Sequence, residues 1–118
     1  YYLHPFVLSI LQMIPQKNKI IILYSCFTAL FLSARSYFVE AMEAAKEGNF
    51  EEADRLMEEG EKMLSEGHHA HGNLLTREAS GDKVKVDLLL VHAEDQMMSA
   101  ETFRIMAKEI IEIHRRLK

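Results

Sequence analysis

From Ile20 to Ala34 the chain reads IIILYSCFTALFLSA, apolar at nearly every position, and it continues as ARSYFVEAMEAAKEG to Gly48, a natural left-handed helix stop. The run is read as the first half of a buried helix that ends there. Asn49 then stands as an N-cap, with Glu51 and Glu52 placing negative charge on the positive end of a second helix dipole. Along that helix apolar or small residues recur with helical spacing at Ala53, Leu56, Met57, Gly60, Met63, Leu64, Gly67, His71, Leu74 and Leu75. Glu58, Glu59, Glu61, Lys62 and Glu66 take the other face. A glycine weakens a helix interior by about 1 kcal/mol relative to alanine, so Gly60, Gly67 and Gly72 are read as marks of close helix contact. Ser80-Gly81-Asp82-Lys83 reads as a stop and a loop, and Asp87 as the N-cap of a third helix running to the basic C-terminus. Three long helices joined by short connections predict an all-α, antiparallel up-down-up three-helix bundle.

At about 100° per residue, Asp87, Glu94, Glu101, Lys108 and Arg115 form one polar stripe on the third helix, expected to face solvent. Nearly every other direction is apolar, from Leu88 through Met97, Phe103 and Ile105 to Ile111. Three helices in one subunit cover only part of each other, so a helix apolar on most sides calls for further copies. His92 and Asp95, three residues apart, share a face away from the charged stripe, and Ser99 and Thr102 continue it. A buried polar group left unpaired costs about 1–3 kcal/mol. The seam is therefore either a core histidine hydrogen-bonded to Asp95 or a site in use, and spacing alone leaves both open.

Residues 1–19 form an atypical N-terminal arm, because Pro15 interrupts any helix before it, and residues 20–118 form a single domain. The apolar run is shorter than the roughly 20 residues of a membrane span and contains Ser25, Cys26, Thr28 and Ser33. A signal peptide fits its length, with Lys17 and Lys19 before it and Ala34 after, but Leu32 occupies the place where a small residue is wanted. Cys26, the one cysteine, is expected to be buried as a small hydrophobe. With 27% charged and 48% hydrophobic residues the chain has the composition of a folded domain. A net charge of −4 gives no broad basic surface for nucleic acid.

Three segments, ARSYFVEAMEAAKEGNFEEADRLMEEG, EGHHAHGNLLTREASGDK and VDLLLVHAEDQMM, together resemble the lactose/cellobiose-type enzyme IIA of the bacterial sugar phosphotransferase system, in order and with matching intervals. The resemblance covers about Ala34 to Lys118, and its most specific motif is Leu-Leu-Leu-Val-His-Ala-x-Asp. It implies a homotrimer of three-helix subunits in the cytoplasm. His92 matches the histidine that takes a phosphoryl group from HPr and passes it to a cognate IIB for uptake of a disaccharide. Asp95 matches the aspartate that meets its symmetry mates around a divalent ion such as Mg2+, one per trimer. Direct sugar binding is not expected, and membrane contact is expected only through the transport complex. An imidazole titrates near pH ~6.5, so at neutral pH a ring nitrogen is free to attack phosphorus. The chain departs from the family in carrying Glu94 where glutamine is usual, Gln96 where a second histidine is usual, and Phe31, Leu32 and Ser33 where small residues precede Ala-Arg-Ser.

His68, His69 and His71 admit a zinc site, with His68 and His71 on one face, although two histidines without a third ligand are a weak metal signal. His68 matches a histidine common in the family, while His69 and His71 are read as surface residues. The competing function is a non-catalytic interaction module, since the Gly48-Asn49-Phe50-Glu51-Glu52-Ala53 hairpin is similar to a tetratricopeptide unit. Such units need about three copies for stability, and one is present.

Overall fold

The computed structural model describes Pro5, Ser9, Gln12, Met13 and the continuous chain from Pro15 to Lys118. Most of the expected arm lies outside these residues. Three helices follow in order: α1 (Gln16–Lys46), α2 (Phe50–Ala79) and α3 (Leu88–Arg116), with no strand among the described residues. α1 packs extensively against both α2 and α3, which touch each other less. The bundle is thus an up-down-up arrangement with α1 as the shared partner.

The helix ends follow from local chemistry. Gly48 takes φ 81°, which lets its N–H reach the Ala45 carbonyl at 2.9 Å and the Asn49 N–H reach that of Ala44 at 2.9 Å. Those two bonds satisfy carbonyls that the end of α1 would otherwise leave open. Asn49 at once accepts from the Glu52 N–H at 3.2 Å and starts α2. Gly81 repeats the stop with φ 92°, and Asp87 caps α3 by accepting from the Leu90 N–H at 3.0 Å.

Buried residues fall on alternating three- and four-residue steps on α1, at Tyr24, Phe27, Phe31, Ala34, Phe38, Ala41 and Ala45, and on seven-residue steps on α3, at Ala93, Ala100 and Ala107. This is the spacing of left-handed helix packing at small crossing angles. The glycines of α2 take the largest side chains of α1. A methyl group at Gly60 would lie 2.5 Å from the Phe38 ring, and one at Gly67 would lie closer still to Phe31. Gly72 faces open space, so the expectation of close contact holds for two of the three glycines.

Cys26 is exposed rather than buried. Tyr24 and Phe27 on either side of it point into the core, and a run apolar at nearly every position carries no clear period from which to tell the outer side.

Candidate functional site

α3 places His92 one turn after its N-cap and Asp95 one turn further, both exposed. The same side of α3 carries Leu88, Val91, Met98, Ile105, Met106 and Ile113 along its length, all exposed, with Leu88 at 82%. The isolated subunit therefore shows an uncovered apolar face that carries an imidazole and a carboxylate. A core histidine hydrogen-bonded to Asp95 is not what forms: His92 is outside the core, and among the described residues no bond joins the two. Ser99 continues this side and accepts from Arg35 Nη1 of α1 at 3.1 Å. The Thr102 hydroxyl donates back to the Met98 carbonyl at 3.0 Å.

The charged stripe stays partly exposed to solvent but runs along the seam with α2, where each member after the Asp87 cap finds a partner. His71 Nε2 lies 2.7 Å from Glu94, His68 meets Glu101, Lys108 lies 3.2 Å from Glu61, and Arg115 meets Asp54. Arg104 adds a two-pronged bond to Glu61, at 2.7 and 2.8 Å. Burial raises the Glu61 carboxyl pKa, but the bonds from Arg104 and Lys108 outweigh it and hold the group below its ordinary value. Periodicity finds a charged stripe but does not distinguish one that is solvated from one that is paired across a helix seam.

The histidines of α2 are arranged by the same seam. His68 and His71 do share a face, turned to α3, and His69 is exposed. His71 is half-buried against Glu94 rather than a surface residue. Among the described residues no three His, Cys, Asp or Glu side chains form a group able to hold a metal, so the zinc reading gains no geometric support. Asp95 supplies one hard oxygen donor per chain, which suits a divalent cation only when several copies bring their carboxylates together. Gln96, a departure from the family pattern, buries its Oε1 without a hydrogen-bond partner among the described residues.

These features define an all-helical domain with an exposed histidine on an uncovered apolar face, and comparison with known proteins gives it a lineage. The cellobiose-specific enzyme IIA of Bacillus anthracis superposes with a TM-score of 0.81 at 31% identity, covering 90% of this chain and 94% of that one. The IIA(Chitobiose) of the Escherichia coli phosphotransferase system, solved as a complex with HPr, matches with a TM-score of 0.67 at 33% identity, covering 80% and 95%. In sequence the chain is 41% identical over 85 residues to the lichenan-specific phosphotransferase enzyme IIA component of Bacillus subtilis, covering 72% of this chain and 77% of that one. It is 37% identical over 83 residues to the lactose-specific EIIA component of Staphylococcus aureus, covering 70% and 81%.

Residues 33–115 match the lactose/cellobiose-specific IIA subunit of the phosphotransferase system, and the chain belongs to that family. It is a phosphotransferase component acting as a phosphocarrier in sugar transport. The hairpin that resembled a tetratricopeptide unit is the α1–α2 turn of this bundle.

Proposed function

We propose that His92 accepts a phosphoryl group from HPr and passes it to a cognate IIB in the cytoplasm, serving uptake of a lactose/cellobiose-type disaccharide. The observation that carries this reading is the exposed imidazole on an otherwise apolar, uncovered side of α3. A ring nitrogen attacks phosphorus as the donor's nitrogen–phosphorus bond breaks, and the donor ring keeps the released electron pair. Such transfer depends on positioning and on charge compensation at the phosphoryl oxygens, which the docked partners share. In the hand-on, a nucleophile of IIB bonds to phosphorus as the His92 nitrogen–phosphorus bond breaks, and the His92 ring keeps the released electron pair.

Three subunits join through the exposed side of α3, which removes Leu88, Met98, Ile105 and their neighbours from water. Asp95 and its symmetry mates then hold a divalent cation such as Mg2+, whose role is to offset their mutual repulsion.

Incubation with phosphoenolpyruvate, enzyme I and HPr is expected to add one phosphate per chain, stable in alkali and labile in acid. His92→Gln is expected to fold and remain unlabelled. Labelling that survives the substitution would move the acceptor elsewhere, with His68 the next residue to test.

A further inference from the structure

Arg35 differs from every other arginine of the chain in its partners. Arg55, Arg77, Arg104, Arg115 and Arg116 are tied to Glu52, Asp82, Glu61, Asp54 and Glu112. Arg35 instead donates to the Ser99 hydroxyl at 3.1 Å and lies 5.9 Å from the centre of the Phe103 ring. It has no ion pair among the described residues, and residues 1–19 contain no Asp or Glu that could supply one.

Two carboxylates of α3 show the converse. Across the α2–α3 seam Asp54 and Glu61 meet arginine or lysine, whereas Glu94 and Glu101 meet only His71 and His68, which are charged only when protonated. The Glu101 side chain is 43% exposed and lines an open groove with Ser65, Arg104 and Ile105. Measured around α3 from Asp95, Ser99 lies about 40° one way and Glu101 about 120° the other. The cation without a carboxylate and the carboxylate without a permanent cation thus border the uncovered apolar face on opposite edges.

We infer that Arg35 of each subunit pairs with Glu101 of the next one around a closed ring. The inference rests on the trimer proposed above and names the contact that fixes its register. Rotation of three copies about an axis along α3 sets one edge of the face against the opposite edge of the neighbour, and it leaves height along the axis unchanged. Ser99, where Arg35 is held, differs in height from Glu101 by about 3 Å but from Glu94 by about 7.5 Å. Covering the face takes the Arg35 guanidinium out of water, which is costly unless a counter-charge meets it. Glu101 turns Oε1 to His68, which leaves Oε2 to accept from the incoming guanidinium. Arg104 beside it is already tied to Glu61 by two bonds. Val39, one turn beyond Arg35, and Ile105, one turn beyond Glu101, are both exposed in the single subunit and flank the contact with apolar surface.

The test is sedimentation over a concentration series, with circular dichroism to verify that each variant folds. The parent is expected to be a trimer. Arg35→Glu or Glu101→Arg alone sets like charges together at every contact of the ring, and each is expected to raise the concentration of half-dissociation at least about tenfold. The two substitutions combined restore opposite charges and are expected to return it to within about threefold of the parent. Should a reversed subunit not fold, Arg35→Gln and Glu101→Gln provide the same cycle, in which the double variant is expected to lose no more than the worse single. Single reversals that dissociate like the parent, a double reversal no better than the worse single, or additive losses in the neutral cycle would overturn the pair while leaving the trimer in place. Rescue of Arg35→Glu by Glu94→Arg instead of Glu101→Arg would overturn it too. A monomeric parent would remove the trimer and the pair together.

Discussion

Phe31 of α1 occupies the space that Gly67 of α2 leaves by having no side chain. Phe31 is 2% exposed and among the largest fully enclosed side chains, while Gly67 sits mid-helix where glycine is intrinsically poor. The pairing explains why a residue unfavourable to helix formation stands there. Bulk on α1 is matched by its absence on α2.

Gly67→Ala therefore tests packing against propensity. Alanine gains up to about 1 kcal/mol of helix preference, but its methyl group would overlap the Phe31 ring, and overpacking of this kind costs about 1–3 kcal/mol. A net loss of stability is expected in urea unfolding. Adding Phe31→Leu should recover part of it, whereas Gly72→Ala, which meets nothing within 4 Å, should stabilise.

Gln96 gives a prediction of opposite sign. Its Oε1 is buried with no hydrogen-bond partner among the described residues, and a group left unpaired costs about 1–3 kcal/mol. Gln96→Met keeps the length and removes the polar atoms, so a gain of roughly 1 kcal/mol is expected in the same unfolding assay. A loss would mean that the amide is satisfied in the assembled protein.

The seam between α2 and α3 should respond to acid. Arg104 and Lys108 hold the Glu61 pKa below its ordinary value. Its folded-state pKa thus lies under the unfolded one, and the stabilisation is present above about pH 4.5 and lost as the pH falls through the lower folded value. The groups are partly exposed, so solvent screening limits the effect to at most about 1 kcal/mol. Glu61→Gln is expected to flatten the pH dependence of the melting temperature below pH ~5, leaving the remaining carboxylates to account for the rest.

The ends of α2 and the start of α3 are legible because Asn49, Gly81 and Asp87 do there what isolated peptides would do. The outward side of Cys26 and the direction of the Asp87–Arg115 stripe are not legible, because each depends on what lies opposite. His71 looks like a surface residue until α3 brings Glu94 to it. At the site, spacing gives the shared face of His92 and Asp95, but their exposure required the fold, and their roles came from resemblance.

Asp95→Asn addresses assembly and metal separately. If three carboxylates meet around a cation, the parent should melt higher with added Mg2+ and the variant should not. The variant is expected still to trimerise, since uncharged side chains at the axis no longer repel. Sedimentation of the parent as a stable monomer at micromolar concentration would remove both the trimer and its shared cation.

The turn between α1 and α2 carries one more consequence. Counted outward from Asn49, buried residues fall at equal distances on either side: Ala45 with Ala53, Ala41 with Met57, Phe38 with Gly60, Ala34 with Leu64, Phe31 with Gly67, and Tyr24 with Leu74. The hairpin is a zipper whose teeth are counted from a single mirror point. One residue added between Lys46 and Phe50 would displace every following tooth by about 1.5 Å and 100°, presenting each phenylalanine with a side chain in place of a glycine. Between Ala79 and Leu88 the chain has slack to absorb the same insertion. Length variation should thus be tolerated at one end of the bundle and lethal to the fold at the other.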